Sequence, residues 1–227
     1  MPTRLPAVIH VLLVDDQQLL TDALARLLEL EADVAVVGVA ASLAALRQLE
    51  VPRVEVVLMD YRLPDGTGAE GTRIVRSRWR SARVIMLTAI TDDETILESI
   101  QAGADGYLTK DRAAEDVVAA VRAARAGEIL LPRPVVLDIA ERVAAARGEA
   151  VARRRPAETL TPRELEVLRA LVEGTSSREI CARLFISTNT LRTHTQNIIG
   201  KLQVHSKLEA VAYALRTGLI EPPRPEP

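Results

Sequence analysis

Val56-Val57-Leu58-Met59 is an unbroken apolar run that ends in Asp60. Four consecutive β-branched or long apolar residues leave no polar face, which suits a parallel strand buried on both sides. Leu63-Pro64-Asp65-Gly66 follows, with the residue types of a turn. Asp60 therefore sits at the carboxyl end of a central strand, where open α/β sheets place ligands. An Asp after a strand can equally be a turn residue or a helix cap, so its meaning depends on the rest of the chain.

The same punctuation recurs. His10-Val11-Leu12-Leu13-Val14 is a second apolar run, and it ends in Asp15-Asp16. Residues 17–31 carry Leu20, Ala23, Leu24, Leu27, Leu28 and Leu30 at helical spacing. A short strand over 32–39 and a helix over 42–50 precede the Asp60 strand. A helix over 68–79 comes next, then a strand over 83–87 that ends in Thr88-Ala89. Thr91 and Glu94 form a capping box that opens a helix to about Ala102. Gly103 to Gly106 turns the chain into Tyr107-Leu108-Thr109, which ends at Lys110. A last helix covers 113–126, with Val117, Val118, Val121 and Ala124 inward.

Five strands alternating with five helices predict a doubly wound, five-stranded parallel sheet. Right-handed crossovers put all the strand carboxyl ends on one edge. Asp15, Asp16, Asp60, Thr88 and Lys110 all lie on that edge. Three carboxylates in close proximity repel, so either one takes up a proton or a cation resides among them. Oxygen-only ligands favour Mg²⁺ over Zn²⁺. Mg²⁺ with a Lys neutralises a phosphoryl group in transfer, and an aspartate can itself be the nucleophile. Asp60 is then the acceptor. Asp16 and Asp60 would ligate the metal, with Asp15 nearby and the backbone carbonyl of Arg62 as a further ligand. Lys110 would pair with phosphoryl oxygens, and the Thr88 hydroxyl would follow the new charge. Gly66-Thr67-Gly68-Ala69-Glu70-Gly71 spells a dinucleotide-binding pattern, but it follows the Pro64 turn rather than joining the first strand to its helix.

Charge divides the chain. Residues 1–150 sum to −6 and residues 151–220 to +5, an acidic front suited to a cation and a basic back suited to a polyanion. One cysteine, Cys181, excludes an intrachain disulfide and a Cys-based zinc site. No charge-free run approaches the roughly 18 residues of a membrane span. The start lacks a basic-then-apolar signal layout. These features predict a soluble, cytoplasmic protein without a membrane partner.

Between the halves, residues 128–156 read as a linker. Val135, Val136, Ile139, Val143 and Ala144 give a tether helix, and Arg153-Arg154-Arg155 a basic segment. Thr161-Pro162-x-Glu164 then starts a helix with its cap, first-position Pro and capping box in place. Leu165, Val167, Leu168, Leu171 and Val172 form its apolar side. Ser176 and Glu179 cap a second helix, with Ile180, Ala182, Leu184 and Phe185 as its interior. A third helix spans 188–202 with Leu191, Ile198 and Leu202 inward, and a fourth spans 206–217. The second and third make a helix-turn-helix. Thr188, Asn189, Arg192, Thr193 and Gln196 lie on the outward face of the third, suited to base edges and phosphates in a major groove.

Asp15-Asp16, Met59-Asp60, Leu63-Pro64-Asp65-Gly66, Thr88-Ala89 and Gly106-Tyr107-Leu108-Thr109-Lys110 resemble the flavodoxin-like receiver domain of bacterial response regulators over residues 8–127. The motifs from Leu160 through Leu202 resemble the LuxR-type DNA-binding domain, an all-α four-helix unit, over residues 157–220. Together the halves resemble the NarL/FixJ family. The resemblance implies a transcriptional regulator rather than an enzyme, phosphorylated on Asp60 by a sensor histidine kinase. It implies a switch in which Thr88 and Tyr107 reorient together; Tyr107, short of apolar neighbours at a strand exit, suits a ring with two positions. It implies Mg²⁺, double-stranded promoter DNA and a homodimer, with RNA polymerase as a further candidate partner. It assigns base contacts to Arg192, Thr193 and Gln196, and backbone contacts to Arg178 and Thr190. Gln196 departs from the basic residue common there, Gly200 lies inside the recognition helix, and Gln203 replaces a terminal glycine, so the following turn is expected to differ. Rival readings are a phosphorylation-independent regulator and a Mg²⁺-dependent phosphatase. The second lacks the further acid that aspartate-nucleophile phosphatases carry two residues on, where Arg62 stands.

Overall fold

The computed structural model describes residues 8–88, 93–111, 113–128 and 160–221, apart from the side chains of Thr88, Asp93, Glu94 and Arg216. The chain divides into two units at Leu130/Leu131. The expected tether helix, the Arg153-Arg154-Arg155 segment and the Thr91 cap lie outside the described residues.

The first unit runs β1 (Ile9–Val14), α1 (Gln18–Glu29), β2 (Val34–Ala40), α2 (Leu43–Gln48), β3 (Val56–Asp60), a hairpin of β4 (Arg62–Leu63) and β5 (Gly66–Thr67), α3 (Gly68–Arg78), β6 (Arg83–Thr88), α4 (Asp93–Gln101), β7 (Gly106–Thr109) and α5 (Ala113–Ala126). The five long strands form one parallel sheet in the order β2-β1-β3-β6-β7, with β3 at its centre. Successive strand residues face opposite sides. In β1, Val11 and Leu13 point into the core formed with α1 and α5 (Leu24, Leu28, Val117, Val121). Leu12 and Val14 point into the core formed with α2 and α3 (Leu43, Leu46, Val75, Trp79). An unbroken apolar run is what such a two-faced strand requires.

The inward face of α1 differs from the expected stripe. Thr21, Leu24 and Leu28 are buried, whereas Ala23 and Leu30 are exposed. The helix stops at Glu29, so Leu30 no longer follows its periodicity. Tyr107 is also better packed than expected. It sits half-buried against the α2/α3-side core, and its hydroxyl donates to the Thr95 carbonyl at 3.2 Å.

The glycines of the Gly66–Gly71 stretch serve packing. A Cβ on Gly68 would come within 2.4 Å of the Asp60 carbonyl oxygen and 2.5 Å of Met86 Cε. A Cβ on Gly71 would meet Met59 Sδ at 2.8 Å. The start of α3 is thereby pressed against the end of β3, and Gly68 N–H donates to the Tyr61 carbonyl at 2.7 Å. Asp65, at the hairpin turn, reaches α2 and accepts from Leu43 N (2.7 Å) and Ala44 N (2.8 Å).

The second unit holds α6 (Pro162–Val172), α7 (Ser177–Leu184), α8 (Thr188–Leu202) and α9 (Lys207–Thr217). The capping boxes at Thr161/Glu164 and Ser176/Glu179 form as expected. Phe185 and Ala182 are not interior. Phe185 is 96% exposed and takes the left-handed conformation (φ 52°) that ends α7. Ile186 N–H then bonds back to the Cys181 carbonyl, closing the turn. Gln203 likewise adopts φ 56° at the end of α8, so the turn keeps the geometry a glycine would give it.

Candidate functional site

Three strands deliver the first cluster. Asp15 follows β1 and is buried. Asp60 closes β3, also buried, and Asp16 is exposed at the rim. Ligand oxygens of Asp15, Asp16 and Asp60 lie within 4.8 Å of one another. Lys110, just past β7, places Nζ 2.7 Å from Asp15 Oδ2 and 2.9 Å from Asp60 Oδ2. Asp15 Oδ1 accepts from Gln17 N at 2.9 Å. Asp15 Oδ2 is fully buried, and its partner among the described residues is the Lys110 ammonium.

Electrostatics follow from this crowding. Burial pushes the Asp60 carboxyl above its ordinary range. A hydrogen bond from Lys110 opposes that rise, while the charge of Asp15 adds to it. Burial pulls the Lys110 ammonium down, but its bonds to Asp15 and Asp60 outweigh this and leave it raised. The site is thus a cation held against two buried carboxylates, with a third at the solvent edge.

The donor set fits a hard divalent cation: all candidate ligands are oxygens, and three carboxylates converge, two of them buried and sharing one ammonium. The hairpin bears on the Arg62 carbonyl. Tyr61 and Gly68 form a hydrogen-bonded pair, and Thr67 N–H turns away to Glu70 Oε2. Arg62, opposite Thr67, is therefore in a non-hydrogen-bonded pair, and its carbonyl lies outside the ladder. The Thr88 backbone ends β6 beside Thr109 at the same edge, while its side chain lies outside those described.

The second site is the face of α8. Thr188, Asn189, Thr190, Arg192, Thr193 and Gln196 are exposed, as is Arg178 on α7, while Leu191, Ile198 and Leu202 anchor the opposite face. Ser187 caps the helix through Thr190 N and also meets the Thr190 hydroxyl at 2.8 Å. Thr193 Oγ1 donates to the Asn189 carbonyl at 3.1 Å. Two of the face's hydroxyls are thus already oriented. His194 is half-buried on the flank. Glu164, buried in α6, accepts from Lys201 Nζ of α8 at 2.7 Å and ties the face to its scaffold. That tie spans 37 residues, and no local pattern signals it.

Comparisons with known proteins follow this division. Residues 11–122 match the family model of the response regulator receiver domain, and residues 158–214 that of bacterial regulatory proteins of the luxR family. The transcriptional regulatory protein LnrK of Bacillus subtilis is 34% identical over 216 residues, covering 93% of this chain and 98% of its own. LiaR of the same organism is 35% identical over 213 residues, with 93% and 99% coverage. A solved two-component response regulator of the LuxR family from Aurantimonas sp. SI85-9A1 is 31% identical, with a TM-score of 0.54, 61% coverage of this chain and 99% of that one.

Proposed function

The chain belongs to the two-component response regulators that join a receiver domain to a LuxR-type DNA-binding domain, and from that membership we propose that its control of transcription is switched by phosphorylation of Asp60. The observation that carries this reading is the convergence of Lys110 and three carboxylates at the carboxyl edge of the sheet. The receiver is taken as residues 8–127 and the DNA-binding domain as 157–220, with 128–156 joining them.

Asp60 supplies a carboxylate oxygen to the phosphorus of a phosphohistidine on a sensor kinase. A P–O bond forms, the P–N bond breaks, and the imidazole nitrogen leaves with the electron pair. Asp16, Asp60 and the Arg62 carbonyl, with Asp15 beside them, are the groups that would hold Mg²⁺. The bound ion would neutralise phosphoryl charge. Lys110 opposes the rise that burial imposes on the Asp60 carboxyl, and its ammonium then pairs with the transferred group. The Thr88 hydroxyl follows the added charge, and Tyr107 moves with it. Arg62 stands where a second acid would activate water for turnover, which argues against an enzyme.

In the second domain, Arg192, Thr193 and Gln196 read bases, with Thr188 and Asn189 at the start of the same helix. Arg178 and Thr190 hold the DNA backbone. One four-helix unit covers little DNA, so a homodimer on paired half-sites is the working form. Promoter DNA and the kinase are the primary partners, and RNA polymerase is a further one. A promoter DNA target implies a cytoplasmic setting, and no described helix is long and apolar enough to cross a membrane.

The test is intact-mass spectrometry after incubation with acetyl phosphate, with and without Mg²⁺. One added phosphoryl that requires Mg²⁺ and is absent in Asp60→Asn supports the reading. An adduct retained in Asp60→Asn refutes Asp60 as the acceptor.

A further inference from the structure

Tyr61 immediately follows the phosphoacceptor, and its hydroxyl lies 2.5 Å from Glu98 Oε2 on α4. Its N–H adjoins the Asp60 carboxylate in the chain, and its carbonyl accepts from Gly68 N at 2.7 Å. The ring packs half-buried against the α2/α3-side core. A phenylalanine would fill that space equally well, so packing does not account for the hydroxyl. Tyr107, from β7, donates its own hydroxyl to the Thr95 carbonyl of the same helix. The helix therefore receives two tyrosine hydroxyls, one from just past β3 and one from within β7.

We propose that Tyr61 is a positioning residue: its hydrogen bond to Glu98 couples the Asp60 carboxylate to the placement of α4, in parallel with the path through Thr88 and Tyr107. A chemical change on the carboxylate alters what the Tyr61 N–H can donate to. Gly68 fixes the Tyr61 carbonyl, so the adjustment passes to the side chain and on to Glu98. Two discrete hydroxyl contacts give α4 a defined position that a covalent change can bias. This inference rests on the phosphorylation reading above.

The experiment is amide hydrogen exchange of segment 93–101 in the full chain, before and after acetyl phosphate with Mg²⁺, with intact mass recorded on every sample. The proteins are wild type, Tyr61→Phe and Glu98→Gln. Loss of a hydrogen bond to a charged group predicts about tenfold faster exchange in Tyr61→Phe before phosphorylation. It also predicts a smaller change on phosphorylation than in wild type. Glu98→Gln keeps an amide oxygen that can accept, so it falls between the two, an ordering that altered packing would not produce. Exchange in Tyr61→Phe equal to wild type before phosphorylation, or an undiminished response after it, overturns the coupling. Wild-type protein without an adduct refutes the phosphorylation reading, whereas an adduct together with unaltered Tyr61→Phe exchange refutes only the coupling.

Discussion

The Lys110 ammonium lies 2.9 Å from the Asp60 carboxylate, close enough to be its principal counter-charge. Lys110 also spans to Asp15, so one cation serves two buried anions. Removing it leaves both uncompensated and strips the developing phosphoryl charge of a fixed partner. Lys110→Ala is expected to slow phosphorylation by acetyl phosphate about 10²–10³-fold, followed as the rate of adduct formation by intact mass. A rate within threefold of wild type would remove Lys110 from the transfer step.

Two glycines make opposite predictions. An alanine at Gly68 would drive its Cβ into the Asp60 carbonyl and Met86, and backbone cannot yield as a side-chain tip can. Gly68→Ala is expected to destabilise the receiver by about 1–3 kcal/mol. A Cβ at Gly200 meets nothing within 4 Å, so Gly200→Ala should stabilise the DNA-binding domain by about 0.5–1 kcal/mol through helix propensity. Urea unfolding followed separately in each domain would check both signs.

Acid should loosen the DNA-binding domain through Glu164. Burial raises this carboxyl, but the Lys201 ammonium and the bonds from Thr161 outweigh it and hold it below its ordinary value of 4.5. A depressed folded-state pKa means the stabilisation is complete above about 4.5. It is lost as pH falls below that value toward the folded-state pKa. Glu164→Gln is expected to cost about 1–2 kcal/mol at neutral pH. The difference from wild type should shrink below pH 4.5, as read from denaturant midpoints at stepped pH. A difference independent of pH would show that Glu164 contributes only as a cap.

The recognition face predicts two separable effects. Arg192→Ala should weaken binding to a cognate site about 10–100-fold and relax base preference at one position. Gln196→Lys should change the preferred base or steepen the salt dependence of binding by about one unit. Binding titrations over a site library at several salt concentrations distinguish them. Unchanged preference and unchanged salt slope would place Gln196 away from the DNA.

The parallel sheet and the acid cluster were legible because each depends on local order: an apolar run, then a polar residue at its end. Asp15, Asp60 and Lys110 each obey that rule, and the crossovers bring them to one edge without further information. What local order does not carry is partnership across the fold. Asp65 reads as a turn residue, yet it caps α2 through Leu43, 22 positions away. Glu164 reads as a capping-box acid, and it is that, but its second partner is Lys201. Phe185 was expected inside because it is apolar. The left-handed conformation it adopts to end α7 turns it out to solvent. Tyr61 carries no pattern at all, and only the packing of α4 beside α3 brings Glu98 within its reach.

The measurement we would make first is DNA affinity on samples whose phosphorylation state is known by mass, for wild type and Asp60→Asn. Phosphorylated wild-type protein should bind a cognate site more tightly and as a dimer, while Asp60→Asn should show neither the adduct nor the gain after the same treatment. Equal affinity for phosphorylated and unphosphorylated wild-type protein would contradict control through Asp60 and leave a DNA-binding protein regulated by other means.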